Sequence, residues 1–186
     1  KEGEVFYGME GSAAFDITFP EDTELSGPMA LRLWVEARAV DGTVPDDAIL
    51  CCFLDKRDRQ GRSVRFNGSV GTTDDMVTRG YIRVSRRALD AVRSTSWRPV
   101  ARGDSVEKLA PGDIVPVDIA LCPTSTFFAA GEGLRLIVSP TEIVHAPIFG
   151  KDTSLNAGRH VLHFGGKFDS HLIVPVIPAD RDSTSS

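Results

Sequence analysis

No run of roughly 18 apolar residues occurs in this 186-residue chain, and no block of lysine and arginine. Neither a membrane-spanning helix nor a polybasic anchor is therefore supported. The net charge of -5 argues against a nucleic-acid partner, whose binding rests on neutralising phosphates with basic side chains. Cysteine is scarce. Cys51 and Cys52 are adjacent in an apolar run, where strand geometry sends neighbours to opposite faces, and Cys122 stands alone. Three such residues read as buried free thiols in a reducing compartment, so a cytoplasmic location is favoured. Long helical periodicity is also missing, as is any phosphate-cradling glycine loop before a helix, and no cofactor is expected.

What the chain does have is alternation. Leu31, Leu33, Val35 and Ala37 fall on one face of a strand, and Arg32, Trp34, Glu36 and Arg38 fall on the other. A tryptophan among charges is the odd feature of that pattern. Phe15, Ile17 and Phe19 alternate with Asp16 and Thr18 until Pro20 stops them, and Ala48 to Leu54 is apolar on both sides, as an inner strand should be. Val115 to Leu121, Leu134 to Val138, His160 to Phe164 and Leu172 to Ile177 complete the set, the last two joined by Gly165-Gly166. Turns are signalled at Ser26-Gly27-Pro28, Asp41-Gly42, Gln60-Gly61, Pro111-Gly112-Asp113 and Gly131-Glu132-Gly133. Many strands without long helices predict an all-β jelly-roll sandwich. Residues 1–178 are expected to form it, with residues 179–186 as a flexible polar tail. Ser85 is expected to cap a short helix, followed by a long loop to about residue 110 that lies across a sheet edge. The chain opens at Lys1, which fits a fragment of a larger protein and equally fits ordinary processing.

Tests for self-contained chemistry come back weak. Asn67-Gly68-Ser69-Val70-Gly71 approaches the nucleophile-elbow pattern, but Asn replaces its first Gly and no helical pattern follows. Ser105-Val106-Glu107-Lys108 has serine and lysine spacing without the partner motifs of that enzyme class. His160 and His163 leave a strand from opposite faces, His145 sits in an apolar loop, and His171 starts the last strand. Asp55, Asp58, Asp74 and Asp75 could gather around calcium, yet they lack an EF-hand pattern and read better as turn carboxylates. No catalytic residue, metal site or cofactor site is therefore assigned. Aromatics are the better clue. Trp34, Trp97 and one member of the pair Phe127-Phe128 are candidates for an outward interface or ligand platform, because adjacent strand residues cannot both face one core. That platform leaves open a stand-alone carbohydrate- or peptide-binding module. The opposing possibility is that the long loop folds over these rings as a second small core.

Several blocks in fixed order also carry a family resemblance. They are Leu25-Ser26-Gly27-Pro28 with Leu31-Arg32-Leu33-Trp34-Val35, Phe53-Leu54-Asp55 with Gly61-Arg62, and Arg79 to Ser85. Ser94 to Pro99, Leu109 to Ile119, Pro123-Thr124-Ser125 with Phe128, and Gly133 to Leu136 follow. Asp169-Ser170-His171-Leu172-Ile173-Val174-Pro175-Val176-Ile177-Pro178 closes the series. Together they resemble the C-terminal non-catalytic domain of X-Pro dipeptidyl-peptidases and cocaine-esterase-type (CocE/NonD) serine hydrolases, from about Leu25 to Pro178. The resemblance implies a galactose-binding-like jelly roll, packed against a catalytic α/β-hydrolase domain in the same chain. In such enzymes the triad belongs to the hydrolase domain, so no catalytic residue carries over to this sequence. The domain's implied role is to buttress the enzyme, and it can wall the substrate pocket or make a homodimer contact. Two departures stand out: Cys51-Cys52 where aliphatics are expected, and a polar, glycine-rich stretch from Phe66 to Thr78.

Overall fold

The computed structural model describes residues 11–68, 74–143 and 158–178, together with the backbone of residues 3–7. The polar tail, His145 and most of the Asn67–Gly71 segment lie outside the described residues. Among the described residues, eleven antiparallel strands form two sheets: β1 (Gly3–Tyr7), β2 (Ala13–Thr18), β3 (Thr23–Arg38), β4 (Ile49–Arg57), β5 (Ser63–Val64), β6 (Thr78–Arg83), β7 (Ile114–Phe128), β8 (Gly133–Ser139), β9 (Arg159–Phe164), β10 (His171–Ile173) and β11 (Val176–Ile177). One sheet runs β1-β9-β3-β7 and the other β2-β8-β4-β6. The pairings nest, β1 with β9, β2 with β8, β3 with β7 and β4 with β6. A chain folded back on itself in nested pairs and then split over two sheets is the jelly roll expected from the strand pattern.

The alternation in the sequence places the core. Leu25, Leu31, Leu33 and Val35 of β3, Leu50, Cys52 and Leu54 of β4, and Val117, Ile119 and Leu121 of β7 point inward and are buried between the sheets. Cys51 and Phe53 leave β4 on the other side and join Met76 in a smaller apolar cluster on the outer face of the second sheet. The two cysteines therefore face opposite ways, as strand geometry demands, and burial pushes the Cys51 thiol up to about 12. Cys122 differs from the expectation: it is exposed, because Leu121 takes the inward position of that strand. A second apolar cluster does exist, but it gathers around Phe53 and not around Trp34 or Phe127.

Two expected boundaries move. Ser26-Gly27-Pro28 is not a turn, since β3 runs straight through it as a bulge, with Gly27 at φ 135°. The last strand breaks opposite that bulge, at Val174-Pro175, because Pro175 has no N–H to give a ladder. Its carbonyl instead accepts the Ser26 N–H at 3.0 Å. The helix at Ser85 shrinks to one 3-10 turn, Val84–Arg86, with Ser85 inside it and not acting as its cap. The loop that follows is tied down by its neighbours. Arg86 donates to the Gly103 and Ser105 carbonyls, and the Leu109 N–H bonds Asp46 while its side chain enters the core.

The two long edges of the sandwich differ. At the β6–β7 edge the sheets close tightly. A Cβ on Gly80 would lie 2.4 Å from the Ala120 carbonyl oxygen, and the Thr78 hydroxyl donates to the Cys122 carbonyl at 2.5 Å. Pro116 and Pro123 on β7 withhold N–H groups at this edge and so discourage further strand pairing. Gly80→Ala is expected to lower stability by about 1–3 kcal/mol through overpacking. A urea midpoint that stays put or rises would show that the sheets do not approach this closely.

Candidate docking surfaces and the Trp34 network

On the outer face of the first sheet, Trp34 sits amid a polar network. Gly165 and Gly166, at φ 82° and 56°, make a tight turn closed by the Phe168 N–H to the Gly165 carbonyl at 3.0 Å. The turn folds Phe168 back over the sheet, with ring centroids 5.5 Å from Trp34 and 4.9 Å from His163. Asp169 accepts from the Trp34 indole at 2.6 Å and from Arg32 at 3.4 Å. These contacts, the indole first, hold its carboxyl below the usual carboxylate range. Arg32 also forks onto Asp118 of β7, at 2.7 and 3.0 Å. Ser170 then fills a gap in the ladder. Its hydroxyl accepts the Trp34 N–H at 3.0 Å and donates to the His163 carbonyl at 2.7 Å, where β3 exchanges β9 for β10 as its neighbour.

One turn of the pattern away, Glu36 accepts two bonds from Arg38, at 2.8 and 3.0 Å, and pairs with His163 Nε2 at 2.8 Å. The Arg38 hydrogen bond is the strongest influence on Glu36, burial opposes it, and His163 assists, so the carboxyl lies below its ordinary value of 4.5. A serine, a histidine and a carboxylate thus lie close together, but not as a catalytic triad. Ser170 Oγ meets the His163 backbone carbonyl instead of its ring, so no base is positioned to take its proton.

The four aromatics picked from the sequence do not converge. Trp34 is half-buried beneath Phe168. Phe128 is fully buried against Phe19, with the Lys56 ammonium 5.3 Å from its ring centroid, while Phe127 turns outward and is 53% exposed. Phe127 pairs with Glu24, ten positions along β3 from Trp34, a separation of roughly 33 Å at strand rise. Trp97 stands in the 87–113 loop and is 47% exposed. The metal reading of the aspartates also dissolves, because guanidinium groups already hold three of them. Asp55 is fully buried with Arg57 at 2.9 Å, Asp58 pairs with Arg62 at 2.7 Å, and Asp75 pairs with Arg79 at 2.9 Å. Lys108 of the serine-lysine spacing is held by Asp46 at 2.9 Å. Among the described residues no cluster of metal-ligating side chains forms.

Sequence reasoning missed the opposite edge of the sandwich. Between β2 and β8 on one side and β3, β9 and β10 on the other lies a cavity of about 350 Å³. Phe15, Leu31, Leu33, Leu136, Leu162 and Leu172 wall it. Alternation places each of these inward, but nothing in the pattern says that a cavity is left among them, beside the Phe15–Phe164 ring contact that joins the two sheets at 5.7 Å.

A family model, the X-Pro dipeptidyl-peptidase C-terminal non-catalytic domain, matches residues 8–173. The chain belongs to this family. Two solved structures of a CocE/NonD family hydrolase from Staphylococcus aureus resemble it throughout. One gives 34% identity and a TM-score of 0.84 over 95% of this chain, and the other gives 33% and 0.84 over 96%. The domain spans only 33% of that hydrolase's length. An aminopeptidase from the marine sediment archaeon Thaumarchaeota archaeon shares the fold at 13% identity and a TM-score of 0.56, over 90% of this chain and 26% of its own. An α-amino acid ester hydrolase does so at 13% and 0.58, over 89% and 25%. The comparison with curated proteins gives no match. Among the described residues, no helix is long and apolar enough to cross a membrane.

Ser170→Ala is expected to lower stability by about 1–3 kcal/mol, since it strips a donor and an acceptor from two backbone groups at once. A denaturation midpoint equal to that of the unsubstituted protein would show that Ser170 does not bridge the gap in the ladder. Glu36 generates a pH prediction. Its folded value is depressed, so the stability it contributes is present above about pH 4.5 and drains away as pH falls through the lower folded value. Glu36→Gln should therefore flatten the acid limb of the stability curve, measured by urea unfolding from pH 6 down to 3. An unchanged limb would show that the pair with Arg38 contributes nothing.

Proposed function

We propose that this domain, over residues 1–178, is the accessory, non-catalytic part of a larger α/β-hydrolase-type enzyme. That enzyme would cleave an ester or a peptide through a serine nucleophile. The observation that carries the reading is the family match over nearly the whole chain, to a domain that fills only a third of its solved relative. The geometry of the Ser170 hydroxyl, spent on the backbone, supports the same view. The domain's contribution is rigid surface: a closed, proline-guarded edge on one side and an apolar, splayed edge on the other. The nucleophile, base and oxyanion donors would lie in the hydrolase part. Contacts through Trp34, Phe127 or Trp97, and any homodimer formed through them, would be additional to that role. Free thiols at Cys51, Cys52 and Cys122 favour a reducing, cytoplasmic setting.

A carbohydrate platform finds less support. Sugar stacking needs a bare ring face, and the Trp34 ring is packed by Phe168 with its N–H bound to Asp169.

The 186-residue chain on its own is expected to hydrolyse p-nitrophenyl butyrate no faster than buffer. Turnover that survives repurification and disappears on replacing one of its own serines would overturn the proposal.

A further inference from the structure

We infer that the splayed edge of the sandwich, between β2 and β10–β11, is the seat of an apolar segment from the hydrolase part of the same protein. This rests on the accessory-domain reading and adds the surface through which the two parts join. Both sheets present inward-facing positions there that the core does not cover. Ile17 faces the core side of β2 beside the buried Leu134, yet it is 50% exposed. Val176 pairs with the fully buried Leu25 and points to the same side of its sheet, yet it is 54% exposed. Ile17 lines the cavity of about 350 Å³, and Val176 stands two positions beyond Val174, which lines it too; the walls are mainly aliphatic and aromatic. Two more exposed apolar side chains stand on the outer face next to Val176, on either side of the exposed Glu24. Phe127 and Ile177 both pair with Glu24, so they share one row on the outer face, and both are exposed.

Half-exposed inward positions beside an apolar cavity are an interrupted core, and a patch of this kind marks an interaction site. The cavity has room for about two or three leucine-sized side chains, and burying each would contribute about 1.5–3 kcal/mol. The occupant is inferred from the relative's length: about two thirds of the Staphylococcus aureus hydrolase chain lies outside the matched part. The closed edge offers no equivalent place, since Gly80 and Thr78 bring the sheets into contact and prolines guard β7.

The test is site-by-site thiol labelling of the full-length protein, read by peptide mass spectrometry so that each cysteine reports separately. Ile17→Cys and Val176→Cys probe the splayed edge. Val92→Cys, at a site 94% exposed, is the open control, and Lys167→Cys probes the Trp34 face. The expected result is labelling at positions 17 and 176 at least about tenfold slower than at 92, as local opening must precede reaction. Labelling at 17 and 176 as fast as at 92 overturns the inference. If position 167 is then the slow one, docking runs through the Trp34 face and the accessory reading stands. If none is slow, that reading falls as well. Protection that vanishes on dilution would identify a second copy as the occupant, and would equally overturn the inference.

Discussion

The architecture hangs on β3. Its sixteen residues pair with β7 along one side, and with β9, β10 and β11 in succession along the other. One strand serving four neighbours has to manage every place where one partner gives way to the next. At the first junction, the Ser170 hydroxyl substitutes for the missing ladder contact between β3 and β9. At the second, the Gly27-Pro28 bulge meets the Val174-Pro175 break, with Gly27 close enough to Pro175 that a Cβ would sit 3.3 Å away. Buried backbone groups must find partners, so these junctions decide whether the sheet holds together. The Asp169-Ser170 pair and the two prolines are thereby explained as devices of one strand's pairing, without appeal to catalysis.

The same logic accounts for what was legible in the residues and what was not. Alternation in Leu31 to Ala37 and in Val115 to Leu121 fixed both the strands and their buried faces, because a period of two admits a single inward set. The divergence of Cys51 from Cys52, of His160 from His163 and of Phe127 from Phe128 followed from that period alone. Local signals misled where pairing overrode them. Ser26-Gly27-Pro28 has every mark of a turn, yet β7 holds β3 extended through it. Ser85 looks like a helix cap, but its N–H is claimed by the buried Asp47 at 2.9 Å and leaves only one 3-10 turn. The cavity was illegible because the spacing between two sheets depends on side chains far apart in the chain.

The asymmetry between the edges gives the fold a direction. One edge is finished: sheets in contact and prolines along β7. The other is an unfinished core, with inward residues left half in water. A free-standing sandwich gains nothing from such an edge, whereas a domain built to be covered needs one. The polar face around Trp34 is different again. Its charges are matched within the domain, Arg32 to Asp118 and Asp169, and Glu36 to Arg38, so it is stable as a solvated surface.

The central claim is that the chemistry of this protein lies outside these 186 residues. The most direct measurement is to label the native source with a serine-reactive fluorophosphonate and capture the protein with an antibody against this domain. Its mass and the labelled peptide are then read together. The account predicts a mass well above 20.1 kDa, with the label on a serine outside this sequence. A labelled or unlabelled species of 20.1 kDa, or a label on any serine of this domain, would contradict it.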